Sequence, residues 1–193
     1  MIRTRQDLIE YIKADHYANQ GGAKNDKALK QYIRKILGWW GEWEFVRQYM
    51  RILRHYEYHL NNSNNNLYHK IVCKYYFSQW HRMSMKTGIH IPPNTVGKGF
   101  RISHYVGGVI INCFKMGEFC SVASGVVVGN KDSNENRATI GNYVKLTLGS
   151  KVIGRITIGD NVIVAPNSVV IKDVESDTIV SGIPAKVIKK KNT

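Results

Sequence analysis

A parallel β-helix following an α-helical amino-terminal region is the architecture this sequence predicts, on three observations. The first is a period of six: Ile140, Leu146, Val152, Ile158, Val164 and Val170 recur without a slip. The residues four places after each of them, Val144, Ser150, Ile156, Val162, Ser168 and Val174, are apolar or small. Six is neither the 3.6 of a helix nor the 2 of a strand. It is the period of a hexapeptide β-helix, in which three hexads make a triangular coil and the guide residue points inward. Small followers such as Gly141, Thr147, Gly159 and Ala165 let the chain turn the corner. Coils stacked about 4.8 Å apart would share main-chain hydrogen bonds. The second observation is helical spacing of apolar residues before position 87, and the third is the break at Pro92-Pro93, after which the sequence becomes β-like. A β-sandwich would also be rich in Val, Ile and Gly, but its strands vary in length and lose phase at each turn. The domains expected are a helical region over 1–87, a β-helix over 88–185 and a basic tail over 186–193.

Taken in order, Thr4 to about Ala18 reads as a helix. Thr4 and Asp7 stand as a capping pair, Leu8, Ile9 and Ile12 share one side, and Gly21-Gly22 ends it. A second helix is expected over 26–37, where Leu29, Ile33 and Ile36 recur, ended by Gly38-Trp39-Trp40-Gly41. A third runs from about Glu42 to Leu60, with Phe45, Val46, Tyr49, Ile52, Leu53 and Tyr56 as its buried stripe. The asparagine-rich run from Asn61 to Asn66 is a polar loop, and a fourth helix is expected over about 67–85. The aromatic residues concentrated here read as helix packing rather than base stacking. Within the β-helix, Met116, Val122 and Val128 already carry the six-residue phase. From Val128 to Ile140 is two whole periods, yet Asn130 to Arg137 holds no apolar residue. That segment is expected to leave the prism as a loop and rejoin it in phase, and loops on rigid scaffolds are natural carriers of function.

Composition bounds the function classes. At 193 residues and 43% hydrophobic, the chain is one domain, or a coil domain with a modest extra piece. No apolar run approaches the ~20 residues of a membrane span. The first residues lack the apolar core of a signal peptide, so a cytoplasmic location is expected. The net charge is +14. Residues 1–90 hold 15 basic and 7 acidic residues and 91–193 hold 13 and 7, so the excess is spread. Spread positive charge suits an anionic partner such as nucleic acid, an acidic polysaccharide, a membrane face or a phosphorylated cofactor. Cys73, Cys113 and Cys120 form neither a zinc spacing nor an even disulfide set, and Cys120 fits a small corner position.

The hexads, the loop after Val128 and the close Gly182-Ile183-Pro184-Ala185-Lys186 resemble the hexapeptide acyltransferases, the left-handed parallel β-helix superfamily. Gly88-Ile89-His90-Ile91-Pro92, followed by Arg101-Ile102-Ser103-His104-Tyr105-Val106-Gly107-Gly108, is similar to the serine acetyltransferase branch. That branch includes relatives that acetylate sugars of surface polysaccharides. The resemblance covers roughly 86–190. It implies an acetyl-CoA-dependent O-acetyltransferase, a homotrimer or dimer of trimers, with sites at subunit interfaces. His104 matches the catalytic histidine, a general base that takes a hydroxyl proton as the acceptor attacks a thioester. Gly107 and Gly108 could offer amides to the oxyanion or serve simply as a tight turn. Acetyl-CoA would lie along the groove between coils at Thr147, Leu148, Ala165 and Pro166, with Lys186 meeting its phosphates. The carboxylates nearest His104 in sequence are Glu118, Asp132 and Glu135, and a backbone carbonyl would orient it equally well.

Two positions depart from the branch. The aspartate that supports the catalytic histidine is replaced by Gly88, and a second histidine by Arg137. With His90, Arg137 is expected around the acceptor, where its fork suits a carboxylate or phosphate. On this basis the acceptor expected is a sugar of an anionic surface glycan, with peripheral contact to such a glycan or membrane. The alternative acceptor is free serine. Cys113 or Cys120 as an acylated nucleophile is weak, since no second histidine stands near to activate it. No metal is expected, because beyond residue 85 only His90 and His104 exist and three histidine ligands cannot be assembled. A nucleic-acid-binding protein rests on charge and aromatics alone, without a recognition motif. A non-catalytic β-helix scaffold is the third class.

Overall fold

The computed structural model describes residues 1–19, 41–64, 66–130, 132–133 and 135–191. The helix expected over 26–37 lies outside the described residues. Helix α1 (Arg5–Ala18) begins as its capping pair requires: Thr4 Oγ1 accepts from the Asp7 amide at 3.0 Å, and Asp7 Oδ2 accepts from the Thr4 amide at 2.9 Å. Its C-cap is Asn19 rather than Gly21-Gly22. The Asn19 amide group reaches the carbonyls of Asp15 (2.8 Å) and Phe100 (2.7 Å) and its oxygen accepts from Ile102 N. A side chain that ties the helix end to distant backbone is invisible to a local turn rule. The inward face of α1 is Leu8, Asp15 and Asn19, while Ile9 faces solvent.

Helices α2 (Glu42–Asn61) and α3 (Leu67–Thr87) pack as an antiparallel pair around Val46, Tyr49, Leu53, Tyr56, Trp80 and Met83. The Tyr49 hydroxyl accepts from Trp80 Nε1 at 3.1 Å and from Ile91 N at 3.0 Å, which fastens the pair to the first coil. The asparagine run does more than turn. Asn61 bonds Ile2 O and Asn94, and Asn66 caps α3 by accepting from His69 N. No described helix is long and apolar enough to cross a membrane.

From Ile89 onwards the chain forms the expected left-handed β-helix class, a parallel solenoid of about four turns with three walls. The first wall is β1 (Ile89–His90), β3 (Val109–Ile111), β6 (Val126–Gly129), β9 (Lys151–Ile153) and β12 (Val169–Val170). The second is β4 (Lys115–Met116), β7 (Thr139–Ile140) and β10 (Thr157–Ile158). The third is β2 (Arg101–Ser103), β5 (Ser121–Ala123), β8 (Lys145–Leu146), β11 (Ile163–Val164), β13 (Thr178–Gly182) and β14 (Ala185–Lys190). The guides form three interior ladders: Val128, Val152 and Val170; Met116, Ile140 and Ile158; Val122, Leu146, Val164 and Val180. All are buried, as are Val144, Ser150, Val162 and Ser168. Burial of such side chains is worth about 1.5–3 kcal/mol each.

Register explains the polar segment. Leu146 pairs with Val164, eighteen residues on, whereas Met116 pairs with Ile140, twenty-four residues on. One extra hexad therefore lies outside the prism between β6 and β7, and phase is kept. The chain's close differs from the expected basic tail. β14 turns back antiparallel along β13, with Ser181 opposite Lys186 and Thr178 opposite Lys190. Without it the bare edge of β13 would expose unpaired amides and carbonyls, and lysines on the covering strand discourage further pairing.

Candidate active site

The corner that joins the third wall to the first carries His104. Between β2 and β3 the chain turns through His104–Gly108, with His104 (φ 57°), Gly107 (φ 109°) and Gly108 (φ 81°) all left-handed. Such backbone is unusual for histidine and marks a tightly determined turn. The next corner of the column presses on it. A Cβ at Gly107 would lie 2.6 Å from Ser124 Oγ, and the Ser124 hydroxyl donates to Val106 O. The Gly108 amide donates to Tyr105 O at 2.9 Å. It is thus committed to the turn and not available to an oxyanion, and the left-handed backbone of that turn is what Gly108 supplies.

His104 Nδ1 lies 2.8 Å from Glu42 Oε2. Glu42 is the first residue of α2, at the positive end of that helix. A carboxylate oxygen accepts hydrogen bonds, so Nδ1 is the donor in this contact. The imidazole remains well exposed, at 67%. Trp43 stands beside it with ring centres 6.3 Å apart, and Arg101 lies over the Trp43 ring at 5.9 Å. Of the carboxylates nearest in sequence, Glu118 belongs to the corner between the second and third walls, where it approaches Lys98. Asp132 and Glu135 lie on the loop between the first and second walls. The partner of His104 thus comes from 62 positions away. Its only sequence signal is an acidic residue at a helix start.

Thr147, Leu148, Ala165 and Pro166 come directly after β8 and β11 and so occupy the same edge as His104. β8 is two strands from β2 in the third wall and β11 three. At about 4.8 Å per strand these corners stand roughly 10 to 15 Å along the edge. The amides of Thr147 and Ala165 are spent on coil-to-coil bonds, to Val164 O (3.2 Å) and Val180 O (2.9 Å). Leu148 and Pro166 are exposed. Lys186, exposed on β14, marks the far end of the same wall.

Two expected acceptor residues lie elsewhere. Arg137 ends the loop between the first and second walls, a different edge of the same chain, and its Nε is buried without a hydrogen-bond partner. His90 stands on the outer face of the first wall, its ring 5.5 Å from Trp80. Within one chain neither is brought to the His104 corner. Gly88 has its own reason to be glycine. It is the left-handed C-cap of α3 (φ 70°), and a Cβ there would meet Gly108 Cα at 3.3 Å. Cys113 and Cys120 are buried, and burial pushes their thiols up to about 12 and about 11, which leaves them protonated and inert.

Hexads, solenoid and corner histidine make the chain similar to the hexapeptide-repeat acyltransferases of the serine acetyltransferase-like branch. It is 40% identical over 111 residues to a serine acetyltransferase of Synechococcus elongatus, across 56% of this chain and 46% of that one. A serine acetyltransferase of Helicobacter pylori is 36% identical over 107 residues, 54% of this chain and 63% of that one. The chain spans about half the length of the curated relatives it matches. No family profile matches it. Among solved structures, Neisseria gonorrhoeae serine acetyltransferase in complex with serine superposes with a TM-score of 0.68 at 23% identity, over 96% of this chain and 70% of that one. Brucella abortus serine acetyltransferase in complex with coenzyme A gives 0.66 at 20% identity, over 97% and 70%. At these identities the likeness is one of fold.

Proposed function

We propose that the chain is an acetyl-CoA-dependent O-acetyltransferase with L-serine as acceptor and His104 as general base. The observation that carries this reading is the corner histidine with Nδ1 on a carboxylate, at the head of an edge of small residues. With Nδ1–H held by Glu42, His104 Nε2 takes the proton of the acceptor hydroxyl as its oxygen attacks the thioester carbon. The C–S bond then breaks, and the imidazolium returns its proton to the departing sulfur. The donor would extend from His104 past Thr147, Leu148, Ala165 and Pro166, with its phosphates towards Lys186.

The glycan acceptor finds no support among the relatives, whose names point to serine. Its structural motive also weakens, since Gly88 is a helix cap and Arg137 stands on another edge. Arg137 and His90 would join the site only across a subunit boundary, as in the homotrimer that the resemblance implies. Exposed apolar residues on and beside the first wall, including Val106, Ile110, Phe114 and Leu148, suit such packing.

Coenzyme A release from acetyl-CoA with L-serine, set against a panel of glycans, tests the proposal. His104→Ala is expected to lower kcat roughly 10²–10⁴-fold with the fold intact and coenzyme A affinity kept. Unchanged turnover in that variant, or a wild-type chain inert towards serine, would overturn it. Light scattering should return three chains or six.

A further inference from the structure

We propose that Glu42 is the positioning residue that makes His104 a base at Nε2, so that the helical region completes the site; this rests on the acetyl-transfer reading. Four observations carry it. The Nδ1 to Oε2 distance of 2.8 Å is that of a charge-assisted hydrogen bond. The first turn of α2 clasps the whole corner, with Trp43 beside His104 and Phe45 edge-on to Tyr105 at 6.3 Å. The neighbouring coil position, Gly88, has no side chain to offer, and its left-handed backbone (φ 70°) would strain any replacement. Finally, α2 cannot drift from the coil. Arg54 Nη1 and Nη2 donate to Val96 O (3.0 Å) and Gly97 O (2.6 Å), and the Arg54 guanidinium also binds Asp15 of α1. The carboxylate is therefore held by a rigid element, as a positioning group needs.

The role is distinct from general stability, because it acts on one nitrogen. With the carboxylate present, Nδ1 carries the proton and Nε2 faces the acceptor. With an amide in its place, the Gln Nε2 can donate to Nδ1 and favour the wrong tautomer.

Two readouts test this on the full chain. In ¹⁵N-histidine NMR the wild type should show His104 with Nδ1 protonated and Nε2 bare, and Glu42→Gln or Glu42→Ala should move it to a mixture. In kinetics Glu42→Gln should lower kcat about 10- to 100-fold with the acetyl-CoA KM held within about twofold, and Glu42→Asp should recover part of the loss. In a His104→Ala background the same change should cost less than about twofold. An unchanged tautomer in Glu42→Gln, or an equal loss in both backgrounds, would overturn the proposal. If the tautomer responds while the wild type transfers no acetyl group, the positioning stands and the acetyltransferase reading falls. If the wild type turns over and Glu42→Gln matches it, the reverse holds.

Discussion

Inside the coils, Val128, Val152 and Val170 stack as one of three interior ladders, each contact repeating the one above it. Among the described residues of the helical region the largest fully buried side chain is a guanidinium. Arg54 is bound by Asp15 Oδ2 at 2.7 Å and Glu57 Oε2 at 2.9 Å. Asp15 Oδ1 accepts from Phe100 N, and Glu57 Oε1 accepts from Asn94 N. Burial alone would lower the Arg54 pKa, yet the carboxylates of Glu57 and Asp15 outweigh it and hold the guanidinium charged. The difference teaches where stability and where orientation come from. Repeated apolar burial is non-directional, and each coil templates the next. A buried ionic cluster adds little net stability, because desolvation offsets the attraction. Its geometry is directional, and it sets α1 and α2 against the first coil. The proposed site draws on both, since His104 stands on a coil and Glu42 on a helix.

The sharpest way to break this contrast is a charge among the guides. Val152→Asp would place an unpaired carboxylate in the central ladder, several kcal/mol beyond the lost apolar burial. The expected outcome is a chain without the β signal in circular dichroism. A soluble variant with wild-type melting would mean that the ladders do not carry the fold.

Next in size is Arg54→Met, which leaves Asp15 and Glu57 buried without their cation. About 3–5 kcal/mol should be lost. Hydrogen exchange should show the loss in α1 and α2, while amides from β7 to β12 keep their protection. Uniform loss across helices and coils would merge the two regions into one cooperative unit.

The smallest effect concerns acid. His59 lies between α2 and α3, its Nδ1 3.0 Å from Nδ1 of His69 and its ring stacked on Tyr76. Burial first, then His69 and His55, lower its pKa from 6.5 to about 4. Between those values the unfolded chain binds more protons than the folded one, so stability is full above pH 6.5 and lost as pH falls towards 4. The melting temperature should fall more steeply over that window in the wild type than in His59→Phe. Equal slopes in calorimetry would show that His59 does not control the acid response of the helical pair.

The period of six by itself determined the coils. Each guide answers to an interior that repeats, so side-chain size and spacing suffice to state it, and even the extruded loop is legible as a gap of two whole periods. The Thr4 cap and the break at Pro92-Pro93 are equally local. His104 was singled out by its motif, and the corner column by the phase. Only the tertiary structure decided the rest. Asn19 ends α1 through bonds to Phe100 and Ile102, and β14 covers an edge that no local pattern announces. Arg137 lies on another edge from His104 because three walls separate corners that are near in sequence. Glu42 meets His104 because α2 docks across the first coil. Local pattern records what a residue does to its own turn or coil. A directional hydrogen bond between segments depends on how those segments dock, and one chain's spacing holds no trace of that.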